Sequence, residues 1–219
     1  MKAVIFDADG TLVDSVYFFI EVYHQAYHEM GVPMARSRIH KVVGMGCDKA
    51  VPHLTSPEWF KEHGSGLRQR AVELYHEHFL KKVELFPCAE ELCLALKKHK
   101  IPLALASSSS SDIVDHYLSL FTCNDIFGFI NTSSHDIRTK PDPDIFVDIV
   151  KRGSFRAEES VVIGDSIWDI RAARAAGLEC ICVLTGGYHP TELRAEGAVE
   201  IYQDVSELYH NLKKSIIFK

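Results

Sequence analysis

The sequence predicts a doubly wound α/β fold, a mostly parallel sheet covered by helices on both faces, with a small helical domain inserted after the first strand. Three observations carry that expectation: short apolar runs without polar alternation, helical patterns between those runs, and a stretch from 15 to 84 with helical patterns but no strand-like run. An apolar strand without alternation needs cover on both faces, which crossover helices supply in parallel sheets.

In chain order, the first run is 3–6, a strand that meets Asp7 at once. The insert follows, with helical patterns over 17–30, 36–43 and 67–82. Leu85-Phe86-Pro87 carries the chain back, with Pro87 near the first position of a helix over 89–99, where a missing N–H does no harm. Strands are then expected at 102–106, 128–131, 160–163 and 179–184, and helices at 112–120, 143–152 and 168–176. The division is a core domain of 1–14 and 85–219 and a helical domain of 15–84. Ligands of such sheets bind where the loops converge at the carboxyl ends of the strands.

Composition narrows the function classes. With 219 residues, 47% hydrophobic and 25% charged, the chain is globular rather than disordered. Its net charge of -6 comes without long like-charge blocks, so a nucleic-acid partner is not expected. No run approaches the ~20 apolar residues of a membrane span, and Asp7 interrupts the first apolar run too early for a signal peptide. The expectation is a cytoplasmic protein without membrane contact. The six cysteines show neither CxxC nor zinc-finger spacing and are read as free thiols. His24 and His28 have the i, i+4 spacing of a zinc helix, but its third ligand and glutamate are not apparent, so no zinc is expected.

Four segments carry candidate chemistry. Val4-Ile5-Phe6-Asp7-Ala8-Asp9-Gly10-Thr11-Leu12-Val13-Asp14-Ser15 ends an apolar strand in two carboxylates, an arrangement that is costly without a cation or a shared proton. By itself it is equally a strand followed by an Asp-Gly turn. Ile101-Pro102-Leu103-Ala104-Leu105-Ala106-Ser107-Ser108 ends a strand in hydroxyls that could hold phosphate or cap a helix. Arg138-Thr139-Lys140-Pro141-Asp142-Pro143-Asp144 places a cation before a proline-stiffened turn, where a solvated surface charge is the ordinary alternative. Val161-Val162-Ile163-Gly164-Asp165-Ser166-Ile167-Trp168-Asp169-Ile170 sets two acids four apart, on one face if helical, or as one cap and one solvated acid.

Taken together and in this order, the four segments resemble the motifs of the haloacid dehalogenase (HAD) superfamily, and the likeness extends from residue 4 to about 177. The resemblance implies a Rossmann-like core with a C1-type helical cap, of the phosphoglycolate phosphatase and β-phosphoglucomutase-like kind. It implies that Asp7 is the nucleophile that becomes an aspartyl-phosphate and that Asp9 is the general acid and base. An acid at position 9 sets the chain apart from the family's dehalogenases and phosphonatases. Ser107 and, through its amide, Ser108 would bind phosphate, and Lys140 would steady the transferring group; Thr139 stands where the family often has Gly. Asp165 would bind a cation with the Asp7 carboxylate and the Asp9 carbonyl, and Asp169 would lie behind them. Oxygen ligands beside phosphate favour Mg²⁺ as cofactor.

The expected activity is a Mg²⁺-dependent phosphatase acting on a small phosphorylated metabolite, phosphoglycolate or a sugar phosphate. Alternatives are a sugar phosphomutase of the β-phosphoglucomutase kind and a non-enzymatic phospho-accepting switch. Gly44-Met45-Gly46-Cys47-Asp48-Lys49 resembles a cap loop facing the site, so Lys49 is a candidate for substrate binding. Gly186-Gly187-Tyr188 is a turn that could also form part of the site's rim. A monomer or small homo-oligomer is expected.

Overall fold

The computed structural model describes residues 2–123, 125–133 and 137–219. Six parallel strands form one sheet in the order β3-β2-β1-β4-β5-β6, from β1 (Val4–Phe6), β2 (Leu103–Ala106), β3 (Phe129–Asn131), β4 (Val161–Gly164), β5 (Glu179–Val183) and β6 (Glu200–Tyr202). The strand order reverses between β1 and β4, which are paired with Phe6 opposite Ile163. Loops leave that point in opposite directions, opening the crevice in which doubly wound sheets bind ligands.

Period-2 geometry sends alternate residues of each strand to opposite faces. Val4, Phe6, Leu103, Leu105, Val161 and Ile163 join one apolar cluster, whereas Ile5, Ala104, Ala106 and Val162 join the other. The first cluster is covered by α5 (Ala89–Lys98), α6 (Ser111–Ser119) and α10 (Val205–Asn211), and the second by α7 (Asp144–Gly153), α8 (Ile167–Ala175) and α9 (Pro190–Glu196). The helical pattern of α7, with Ile145, Phe146 and Ile149 buried, shows why these segments are helices with one apolar stripe.

The stretch after β1 holds α1 (Val16–Glu29), α2 (Arg36–His40), α3 (Cys47–Leu54) and α4 (Pro57–His78). Its two connections pair with each other: Asp14 N donates to Glu84 O at 3.0 Å and Phe86 N to Leu12 O at 2.9 Å. Among the described residues no helix is long and apolar enough to cross a membrane.

Local details depart from expectation. α4 begins at Pro57 rather than near 67, because Ser56 accepts the Trp59 N–H and Pro57 takes the first turn. The helix after the insert begins at Ala89 with Cys88 as its cap, so Pro87 lies outside it. α2 stops at His40, and α3, α9, α10 and β6 were not expected. β6 is a three-residue edge strand of half-buried residues, too short to show a pattern.

Candidate active site

β1 ends where the sheet order reverses, so Asp7 emerges beside the end of β4; its N–H donates to Ile163 O at 2.9 Å. The turn that follows needs Gly10, at φ 81, and a Cβ there would lie 2.3 Å from Asp165 Oδ2. A Cβ on Gly186 would lie 2.1 Å from the same oxygen. Two glycines therefore leave Asp165 the space it occupies, which puts the Gly186 turn at the site itself rather than at its margin.

Lys140, in the loop before α7, is fully buried. Its ammonium pairs with Asp7 Oδ1 and lies 2.7 Å from Asp169 Oδ1. Burial works against that charge, but Asp169 and Asp7 outweigh it and hold the lysine above its ordinary range. Asp169 is the third residue of α8, where its Oδ2 accepts the Ser166 N–H at 3.2 Å and completes a capping box. Its remaining oxygen faces Lys140, so Asp169 positions the lysine.

Carboxylate oxygens of Asp7, Asp165 and Asp169 lie within 4.8 Å of one another. Three buried acids thus share one buried ammonium. Burial pushes Asp7 up to about 7 against the pull of Lys140, with Asp169 and Asp9 adding to the rise. Burial, then Asp7 and Asp169, push Asp165 well above the usual carboxylate range. Missing positive charge, an all-oxygen donor set and the cradle around Asp165 fit a divalent cation.

The Asp9 carboxylate stands apart from that cluster. Ser15 Oγ and Tyr117 OH each donate to its Oδ1 at 2.7 Å, while Ser107 Oγ at 3.1 Å and Ser109 Oγ at 2.7 Å donate to Oδ2. The Ser107 hydroxyl, expected at phosphate, is thus turned to Asp9. It also accepts the Ser109 N–H at 3.0 Å. Ser108 lines the cavity in front of Asp7 and Asp9, and its hydroxyl donates to Gly44 O at 3.3 Å. Lys49, expected at the substrate, pairs with Asp142 at 2.8 Å.

Tyr117, Ser109 and Thr11, which donates to Asp7 Oδ2 at 3.2 Å, were missed from sequence. Tyr117 had a signal, since it shares the buried face of α6 with Ile113 and Val114 and a phenol there needs a partner. The other two are ordinary turn residues whose partners only the fold supplies.

The comparisons with known proteins agree with this geometry. The sequence profile described as haloacid dehalogenase-like hydrolase matches residues 4–183. A phosphoglycolate phosphatase from Yersinia pestis is 30% identical over 195 residues, 86% of this chain and 83% of that protein. A phosphorylated carbohydrates phosphatase from Thermotoga maritima is 27% identical over 181 residues, 83% of this chain and 84% of that protein. A crystal structure of a hydrolase from Pseudomonas syringae superposes with a TM-score of 0.91 at 31% identity, covering 98% of this chain and 99% of that one. With the family profile spanning most of the chain and the fold matching nearly end to end, the chain belongs to the haloacid dehalogenase-like hydrolase family and is a phosphatase of that family.

Proposed function

We propose that this phosphatase hydrolyses a small phosphate monoester in the cytoplasm, with Asp7 as nucleophile and an aspartyl-phosphate intermediate. The observation that carries the reading is the Asp7 carboxylate at the cavity wall, clustered with Asp165, Asp169 and the buried Lys140 ammonium. Asp7 attacks phosphorus, and the leaving oxygen takes a proton from Asp9, which then accepts one from the attacking water. For that, Asp9 must exchange some of its hydroxyl partners for the substrate. Lys140 balances charge on the transferring group, and Ser108 on the cavity wall contacts phosphate, with Ser107 acting mainly on Asp9. The carboxylates of Asp7 and Asp165 and the Asp9 carbonyl, with Asp169 behind them, would hold Mg²⁺, which would supply the charge neutralisation that lets an anionic acid approach an anionic ester. Residues 15–84 serve as a cap over a core of 1–14 and 85–219, excluding water from the site.

The test is release of inorganic phosphate from a panel of phosphorylated metabolites, starting with phosphoglycolate and sugar phosphates because relatives bear those names. Turnover is expected to vanish with EDTA, return with Mg²⁺, and fall by about four orders of magnitude or more in Asp7→Asn. A panel without metal-dependent release, or an active Asp7→Asn, would overturn the reading. An isomeric phosphate formed without free phosphate would make the enzyme a mutase instead.

A further inference from the structure

The Asp9 carboxylate is saturated. A carboxylate offers about four lone-pair sites, and four hydroxyls fill them: Ser15 and Tyr117 at Oδ1, Ser107 and Ser109 at Oδ2. The two oxygens are held differently. Both donors to Oδ1 are fully buried, whereas Ser109 lines the cavity together with Asp9. Oδ2 is therefore the oxygen that can trade a donor for a substrate atom, and Oδ1 is the one that stays anchored.

One of those anchors is itself held. Tyr117 OH lies 2.6 Å from Tyr75 OH, and a phenol has one proton, so Tyr117, which gives its proton to Asp9, accepts that of Tyr75. Tyr75 belongs to α4, and its ring stacks on Phe19 of α1 with centroids 4.6 Å apart and planes 14° apart. That stack fixes where the Tyr75 hydroxyl points. Both tyrosines are buried in the apolar cluster, where phenylalanine would pack as well without a hydroxyl to satisfy. Two buried hydroxyls in line with one carboxylate oxygen do little for packing and much for its orientation.

We propose that Tyr117 is a positioning residue for Asp9, anchoring Oδ1 so that Oδ2 faces the leaving oxygen of the substrate, and that Tyr75 holds Tyr117 in turn. The proposal rests on the reading of Asp9 as general acid and base. As the bond from Asp7 to phosphorus forms and the ester P–O bond breaks, Oδ2 gives its proton to the departing alcohol. The water that cleaves the aspartyl-phosphate returns a proton to Oδ2. Tyr117 keeps its own proton throughout and touches neither substrate nor water.

The test compares kcat/KM for benzyl phosphate and 4-nitrophenyl phosphate with Mg²⁺, since kcat/KM covers the steps through departure of the alcohol. Benzyl alcohol leaves poorly without a proton, whereas nitrophenol leaves readily as its anion. The ratio of the two, taken in one preparation, does not depend on how much of the protein is folded. Asp9→Asn should lower the ratio of benzyl to nitrophenyl ester by about a hundredfold or more. Tyr117→Phe, which removes a hydrogen bond to a charged group, should lower it by about tenfold or more, and Tyr75→Phe by about threefold. In the double variant the ratio should stay at the Tyr117→Phe value, because Tyr75 acts through Tyr117. Tyrosines that merely fill the core would slow both esters alike and leave the ratio unchanged. If Asp9→Asn lowers the ratio and Tyr117→Phe does not, the anchor is wrong while the acid stands. A double variant well below Tyr117→Phe removes Tyr75 from the chain of contacts. If Asp9→Asn leaves the ratio unchanged, or the wild-type protein releases phosphate from neither ester, the reading of Asp9 falls and this proposal with it.

Discussion

Lys140 is buried to the last atom, and its partners are two carboxylates that are themselves buried. Removing one member of such a group leaves the others desolvated and unpaired, at a cost of about 3–5 kcal/mol. Lys140→Met should lose that much in urea unfolding at pH 8 and recover part of it at pH 5, where the acids can take protons. The same acids set the pH response of the metal-free protein. An acid with a higher pKa folded than unfolded keeps its proton in the folded state after the unfolded chain has lost it. Stability therefore falls as pH rises from 3.8 toward about 7 through Asp7, and Asp165 adds to the fall. Lys140, raised above 10.5, contributes fully throughout that window and does not change the sign. Thermal melts should show a lower Tm at pH 8 than at pH 5 without metal, with Mg²⁺ restoring stability chiefly at pH 8. Asp7, Lys140 and Asp165 were legible as motif residues, because each follows a strand or precedes a stiff turn. That Lys140 answers to Asp169 as much as to Asp7 was not, since the lysine lies in the loop before α7 and Asp169 in the first turn of α8.

Strand ends, turns and helix caps aim these side chains. The β4–α8 junction sends Asp165 toward Asp7 and turns Asp169 back into the capping box with Ser166, while the turn after β5 brings Gly186 against Asp165. Gly186→Ala would put a methyl group 2.1 Å from Asp165 Oδ2, so the carboxylate must move. Titration calorimetry should then report Mg²⁺ affinity weakened at least about tenfold, with far-UV circular dichroism unchanged. Wild-type affinity in that variant would mean that Asp165 does not hold the ion. Elements were legible in proportion to length and pattern. The buried strands and the longer helices announce themselves by periodicity, whereas β6, with three half-buried residues, offers no period to detect.

The helices after β1 are tied to the core by side-chain hydrogen bonds. Trp168 Nε1 donates to Lys41 O at 3.1 Å, His40 Nε2 to Gly186 O at 2.7 Å, and Thr139 Oγ1 to Asp48 Oδ1 at 2.6 Å. Gly46 fits because a Cβ there would strike Thr139 Oγ1 at 2.2 Å. If this docking favours substrate binding, losing one bond worth about 1 kcal/mol should raise KM about fivefold. Trp168→Phe is the test, in steady-state kinetics with kcat followed alongside; an unchanged KM would separate docking from binding.

The sequence by itself determined the α/β class, the run of helices between β1 and β2 and the segments that carry the acids and the lysine, because burial period and turn chemistry are properties of neighbouring residues. Only the tertiary structure decided which side chains in those segments answer one another. Asp9 takes its hydroxyl donors from Ser15, Ser107, Ser109 and Tyr117, up to 108 positions away. Lys49 pairs with Asp142, and the cavity opens where α1, α3 and α4 face the loops that carry Asp7, Asp9 and Ser108. Such pairings follow from strand order and helix docking, which bring distant residues together irrespective of their spacing along the chain.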